Sequence, residues 1–143
     1  MIRSLVIICV LLVTGCGNDT LTSPTTTTET TVTVASPTVS EVFTGTLPVG
    51  GARFYSFATS TYGTINVTLT SVGGDFVPST VMVALALGQP SGTECVTSIT
   101  SNTASGTSPQ ISGPYAAGTY CVRIADIGNL FAAASFSITV AYP

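Results

Sequence analysis

Gly63-Thr64-Ile65-Asn66-Val67-Thr68-Leu69-Thr70 sets the period of the chain: Ile65, Val67 and Leu69 are apolar, and Asn66, Thr68 and Thr70 alternate with them. Successive side chains of an extended strand point to opposite faces, so this stretch reads as a strand with one buried face. The pattern recurs where Tyr120, Val122 and Ile124 alternate with Cys121, Arg123 and Ala125. It recurs again where Phe136, Ile138 and Val140 alternate with Ser135, Ser137 and Thr139. Residues 81–87 are apolar on both faces, which predicts a central strand under cover. Further candidates run over 41–46 and 52–58, with a weaker one over 96–101. Gly50-Gly51, Gly73-Gly74, Gln89-Pro90-Ser91-Gly92 and Gly113-Pro114 read as turns between them. Only 131–134 hints at a helical turn. Seven or eight short antiparallel strands in about a hundred residues predict an all-β sandwich.

The amino terminus follows a different pattern. Met1-Ile2-Arg3-Ser4 carries a positive charge, residues 5–13 are a run of nine apolar side chains, and Thr14-Gly15 precede Cys16. A charged start, a short apolar stretch and small residues at its end read as a secretory signal. The run is too short to cross roughly 30 Å of hydrocarbon as a helix. Val13-Thr14-Gly15-Cys16 resembles the lipobox of bacterial lipoproteins. The resemblance implies thioether diacylation of Cys16, cleavage before it, and acylation of the new amino group. Two or more acyl chains turn marginal membrane binding into a stable anchor. An ordinary secreted chain is the alternative. Gly17, standing where a retention-type Asp would be, leans by the same resemblance toward an outer membrane or the cell surface.

Three segments follow from this reading: a signal peptide over 1–15, a lipid-anchored linker over 16–40, and a folded domain over 41–143. Ten of the twenty-one residues from 20 to 40 are Thr, joined by Ser23, Pro24, Ser36 and Pro37. Such a segment cannot bury enough surface to offset its chain entropy, so a disordered linker is expected. As a flexible coil it would span roughly 25 Å, and its hydroxyls offer sites for O-glycosylation in a suitable host. Thr31-Val32-Thr33-Val34 alternates and offers an edge strand, which leaves the boundary near residue 40 open.

Arg3, Arg53 and Arg123 are the only cations of the chain, which has no His, Lys or Trp. After cleavage two arginines stand against six acids, a net side-chain charge of −4. Two arginines do not neutralise a phosphate backbone, so nucleic acid is excluded as a partner. Without His or Lys, a Ser–His–Asp arrangement is impossible and most acid–base schemes lose their usual parts. Two carboxylates suffice for glycoside hydrolysis. Glu41, Asp75, Glu94 and Asp126 are instead dispersed over separate segments. A non-enzyme is the expectation.

Cys9 leaves with the signal, Cys16 carries lipid, and Cys95 and Cys121 remain. An exported chain meets an oxidising compartment in many hosts, and no His is at hand to complete a metal site or activate a thiol. A Cys95–Cys121 disulfide is therefore expected, worth about 3–4 kcal/mol on the chain-entropy model. Alternation puts Cys121 on the face opposite Tyr120, Val122 and Ile124. The bridge should lie off the core, pinning a neighbouring strand or loop.

In order along the chain come Phe43-Thr44-Gly45-Thr46-Leu47, Phe54-Tyr55-Ser56-Phe57, the 63–70 stretch, Gly118-Thr119-Tyr120-Cys121-Val122-Arg123-Ile124, and Ser135-Phe136-Ser137-Ile138-Thr139-Val140. This order and spacing resemble the bacterial pre-peptidase C-terminal (PPC) domain, over residues 41–143. The resemblance implies a jelly-roll-like β-sandwich acting as an accessory module of secreted enzymes, sometimes binding polymeric substrate or calcium. Residues 120–130 are similar to a variant found in small bacterial lipoproteins. Arg53 departs from the family pattern, which often has Asp before its aromatic strand. An immunoglobulin sandwich is disfavoured, because Trp is absent and Tyr120 directly precedes Cys121.

Asp126-Ile127-Gly128-Asn129 is the most site-like loop. Asp126 and Asn129 offer oxygen ligands that could join Asp75 or Glu94 around calcium, the single cofactor worth weighing. The preferred reading is a turn in which both side chains bond their own backbone. Phe54, Tyr55, Phe57, Tyr115 and Tyr120 read as core or turn residues, and Tyr62 and Tyr142 as exposed near strand ends. Arg53 and Arg123 read as partners of the domain's acids. The function expected is a non-catalytic envelope lipoprotein, bound to the membrane by lipid and displaying a sandwich for adhesion, binding of an extracellular glycan or protein, or a structural role. The alternative is a calcium-stabilised, substrate-binding accessory module working with a secreted enzyme.

Overall fold

The structure, a computed structural model, describes residues 30–143; the expected signal peptide, Cys16 and the expected linker up to residue 29 lie outside the described residues. Eight strands follow one another: β1 (Val39–Leu47), β2 (Ala52–Thr59), β3 (Gly63–Gly73), β4 (Val83–Ser91), β5 (Glu94–Thr103), β6 (Ile111–Tyr115), β7 (Gly118–Ala125) and β8 (Ala134–Tyr142). They form two four-stranded sheets, ordered β1-β8-β3-β6 and β2-β7-β4-β5, and every pairing between them is antiparallel. This is the strand order of a jelly roll, a sandwich of two antiparallel sheets. The fold expected from the period-two pattern is the fold observed.

The inward faces are the alternating sets read from sequence. Ile65, Val67 and Leu69 of β3 meet Val83, Leu85 and Leu87 of β4, Val122 and Ile124 of β7, and Ile138 and Val140 of β8 in one core. An aromatic layer continues it: Phe57 lies 5.1 Å from Tyr142 and 6.1 Å from Tyr120, and Phe43 stacks on Tyr55 at 5.0 Å. Tyr142 thus departs from its sequence reading. It is buried, and its hydroxyl donates to the Glu41 carboxylate across the β1–β8 pair.

Three local readings fail for physical reasons. Gly113-Pro114, read as a turn, lies inside β6, where Pro114 pairs with Thr64. Proline is tolerated there because β6 is an edge strand and needs no donor on its open side. Gln89-Pro90-Ser91 is likewise not a turn but the end of β4, which reverses only at Gly92, a residue with φ of 59°. Residues 131–134 form a bend leading into β8, and no helix occurs among the described residues. The chain joins the sandwich upstream of residue 40. Ala35 makes an isolated parallel bridge to Gly63, while 31–34 form no strand.

Candidate functional site

β4 is apolar on both faces, and the residues of its outer face explain how that face is covered. Ala84, Ala86 and Gly88 pair with Ala125, Arg123 and Cys121 of β7 and point away from the core. Ala86 is nevertheless buried. At Gly88 the cover is the end of β4's own hairpin. Strands on either side of a third normally stand roughly 9.5 Å apart. Across β4, Cys95 of β5 and Cys121 of β7 are only 5.9 Å apart at Cα and are joined by a disulfide. The end of the hairpin must therefore curl over the outer face of the sheet. The curl begins at a register shift between Leu87 and Gly88. It needs glycine at 88: a Cβ there would lie 1.9 Å from the Val96 carbonyl oxygen.

The disulfide expected from sequence thus exists, and it lies off the core as expected. Cys121 is fully buried between the sheet and the curled hairpin. The segment it pins is the start of β5.

The curl leaves a groove against the neighbouring strands. A cavity of about 430 Å³ is lined by Ala52, Arg53, Phe54, Thr93, Glu94, Cys95, Thr97 and Arg123. Arg53 and Arg123 are the only cationic side chains among the described residues, and both line this one cavity. Phe54 stands directly opposite Arg123 in the β2–β7 register. Facing residues of antiparallel strands have Cβ atoms roughly 5 Å apart, so the two side chains leave the sheet side by side on the same face. Phe54 is therefore not the core aromatic its sequence position implied; Tyr55 and Phe57 take that role. Arg53 stands opposite Ile124, so it leaves the edge strand β2 on the other face from Arg123; it lines the cavity as well and donates from Nη1 to the Ala52 carbonyl at 3.0 Å. Glu94 contributes the carboxylate of the groove.

The Asp126 loop is built differently. One carboxylate oxygen of Asp126 accepts from the backbone N–H of Gly128 and Asn129 at 2.9 Å each and of Leu130 at 3.2 Å. The other accepts from Gly50 N–H at 2.7 Å, tying the β7–β8 loop to the β1–β2 turn. The Gly50 hydrogen bond is the largest cause holding the Asp126 carboxyl below its ordinary value, helped by Asn129, Gly128 and Leu130. Gly128 has φ of 92°, a conformation open to glycine, and this lets successive N–H groups converge on one oxygen. Asn129 donates its side-chain N–H to the Met82 carbonyl at 3.1 Å. Asp126 bonds the backbone of its own turn, as in the preferred sequence reading, whereas Asn129 departs from that reading and reaches the segment before β4. Among the described residues no three of His, Cys, Asp or Glu gather as a metal site. The β7–β8 loop exposes Ile127 and Phe131, and the β3–β4 loop exposes Phe76 and Met82.

The class that the fold defines is the antiparallel jelly-roll sandwich, here with a disulfide-locked hairpin across one outer face. No family model matches the chain, and no curated protein matches it. Among solved structures, the crystal structure of the Yersinia pseudotuberculosis-derived mitogen (YPM) superposes with a TM-score of 0.50 at 13% identity. The match covers 76% of this chain and 88% of that one. The likeness is one of fold.

Proposed function

We propose that the chain is a non-catalytic, exported lipoprotein of the cell envelope, anchored through Cys16, whose PPC-like sandwich is a ligand-binding module. The binding role rests on one observation: both described cations line a single groove beside Glu94 and Phe54. A structural spacer has no need to collect its rare charges in one cavity. The non-catalytic reading is supported by how the acids are used. Asp126 is consumed by backbone donors and Glu41 by the Tyr142 hydroxyl. The PPC likeness is supported by the order of its stretches, which become β1, β2, β3, β7 and β8 of one jelly roll.

The anchor is tested by growing the producing cell with labelled palmitate. The chain should incorporate label and sediment with membranes, and Cys16→Ser should abolish the label and release the protein. A wild-type chain that stays unlabelled and soluble would refute the anchored reading.

A further inference from the structure

The groove is lined by two arginines and one glutamate, a local charge of +1 in a chain that is otherwise acidic. A guanidinium presents a planar fork that matches a carboxylate with two parallel hydrogen bonds. A single carboxylate balances the local charge. A phosphate dianion would face Glu94 with an excess of negative charge. A long polyanion would meet the negative field of the whole domain. The other lining groups suit the body that bears the carboxylate. Phe54 offers an apolar ring edge beside Arg123, the Thr93 and Thr97 hydroxyls donate and accept, and Glu94 accepts from hydroxyls. The volume, about 430 Å³, falls in the range of small-molecule sites, roughly 300–1,000 Å³.

We propose that the groove between the curled β4–β5 hairpin and the β2–β7 pair binds a uronic acid residue, at a chain end or among neutral sugars of an extracellular polysaccharide. Arg123 receives the carboxylate, Arg53 adds its charge from the β2 edge, Phe54 packs against the sugar ring, and Glu94, Thr93 and Thr97 bond its hydroxyls. The assignment deepens the reading of the sandwich as a binding module and depends on it. The test of the lipid anchor is separate.

The test titrates the full, disulfide-bonded chain with sodium glucuronate, with glucose and with inorganic phosphate, followed by calorimetry. Glucuronate should bind saturably and weaken with added salt, while glucose and phosphate should bind at least roughly tenfold more weakly. Arg123→Gln should lower glucuronate affinity roughly tenfold or more, as expected for loss of a charge-assisted pair. Arg123→Lys, which keeps the charge but not the fork, should restore only part of it. Arg53→Gln, at an exposed position that does not support the core, gives a second reading should Arg123→Gln fail to fold. Equal affinity for glucose and glucuronate, no saturable glucuronate binding, or unchanged affinity in a folded arginine variant would overturn the proposal. Tighter, Arg123-dependent phosphate binding would remove the uronate assignment and leave the binding module standing.

Discussion

The Asp126 loop and the groove under the hairpin are the two polar assemblies of this sandwich, and they use charge in opposite ways. In the loop, four backbone N–H groups from two turns close on one carboxylate, so its hydrogen-bonding capacity is spent inside the fold. In the groove, Arg53, Arg123 and Glu94 line open space. The comparison separates a charge that builds structure from charges placed for a ligand. A site-like sequence such as Asp-Ile-Gly-Asn turned out to be the structural one. The arginines, inconspicuous in sequence, both line the groove.

The contrast yields graded expectations. Removing the disulfide with Cys95→Ser and Cys121→Ser together should have the largest effect, a loss of about 3–4 kcal/mol in denaturant unfolding. It should also abolish glucuronate binding, because the hairpin wall of the groove is released. Retained binding would separate the groove from the bridge. Gly88→Ala comes next, with a cost of about 1–3 kcal/mol, because the new methyl meets the Val96 backbone and forces the curl open. A Gly88→Ala chain as stable as the parent would break the account of how the hairpin is seated.

The loop predicts a pH dependence rather than a binding loss. A carboxyl lowered in the folded state contributes fully above its ordinary value of 3.8 and loses that contribution as the pH falls through the lowered value. Asp126→Asn should therefore melt below the parent at neutral pH, and the two curves should converge in acid. A gap that stayed constant down to pH of about 2 would contradict the backbone-bonded carboxylate. The smallest effect expected is none at all: neither EDTA nor added calcium should move the melting temperature. A calcium-dependent rise abolished by Asp126→Ala would instead favour the calcium-stabilised reading.

The fold was legible because its core strands keep a strict period of two, and 63–70, 120–125 and 135–140 fall in β3, β7 and β8. β4 was legible as a covered strand, but not what covers it. The cover depends on a backbone approach at Gly88, and a glycine in a strand does not announce which segment will lie against it. β6 was hidden because Gly113-Pro114 carries the same composition as a turn, and only its edge position makes it a strand. The disulfide and its placement off the core followed from alternation and from the short supply of other cysteines. The groove did not. Arg53 and Arg123 are far apart in the chain, and only the β2–β7 register brings their strands together. Phe54 looked like a third core aromatic beside Tyr55 and Phe57, although period two allows only one parity inward.

The most direct test of the central claim is an amide shift map of the isotopically labelled chain titrated with sodium glucuronate. The account predicts that the largest shifts fall at 52–54, 93–97 and 123, with the Asp126 loop and the exposed Phe76 and Phe131 unmoved. Shifts centred on residues 126–131, or spread evenly over both sheets, would contradict it.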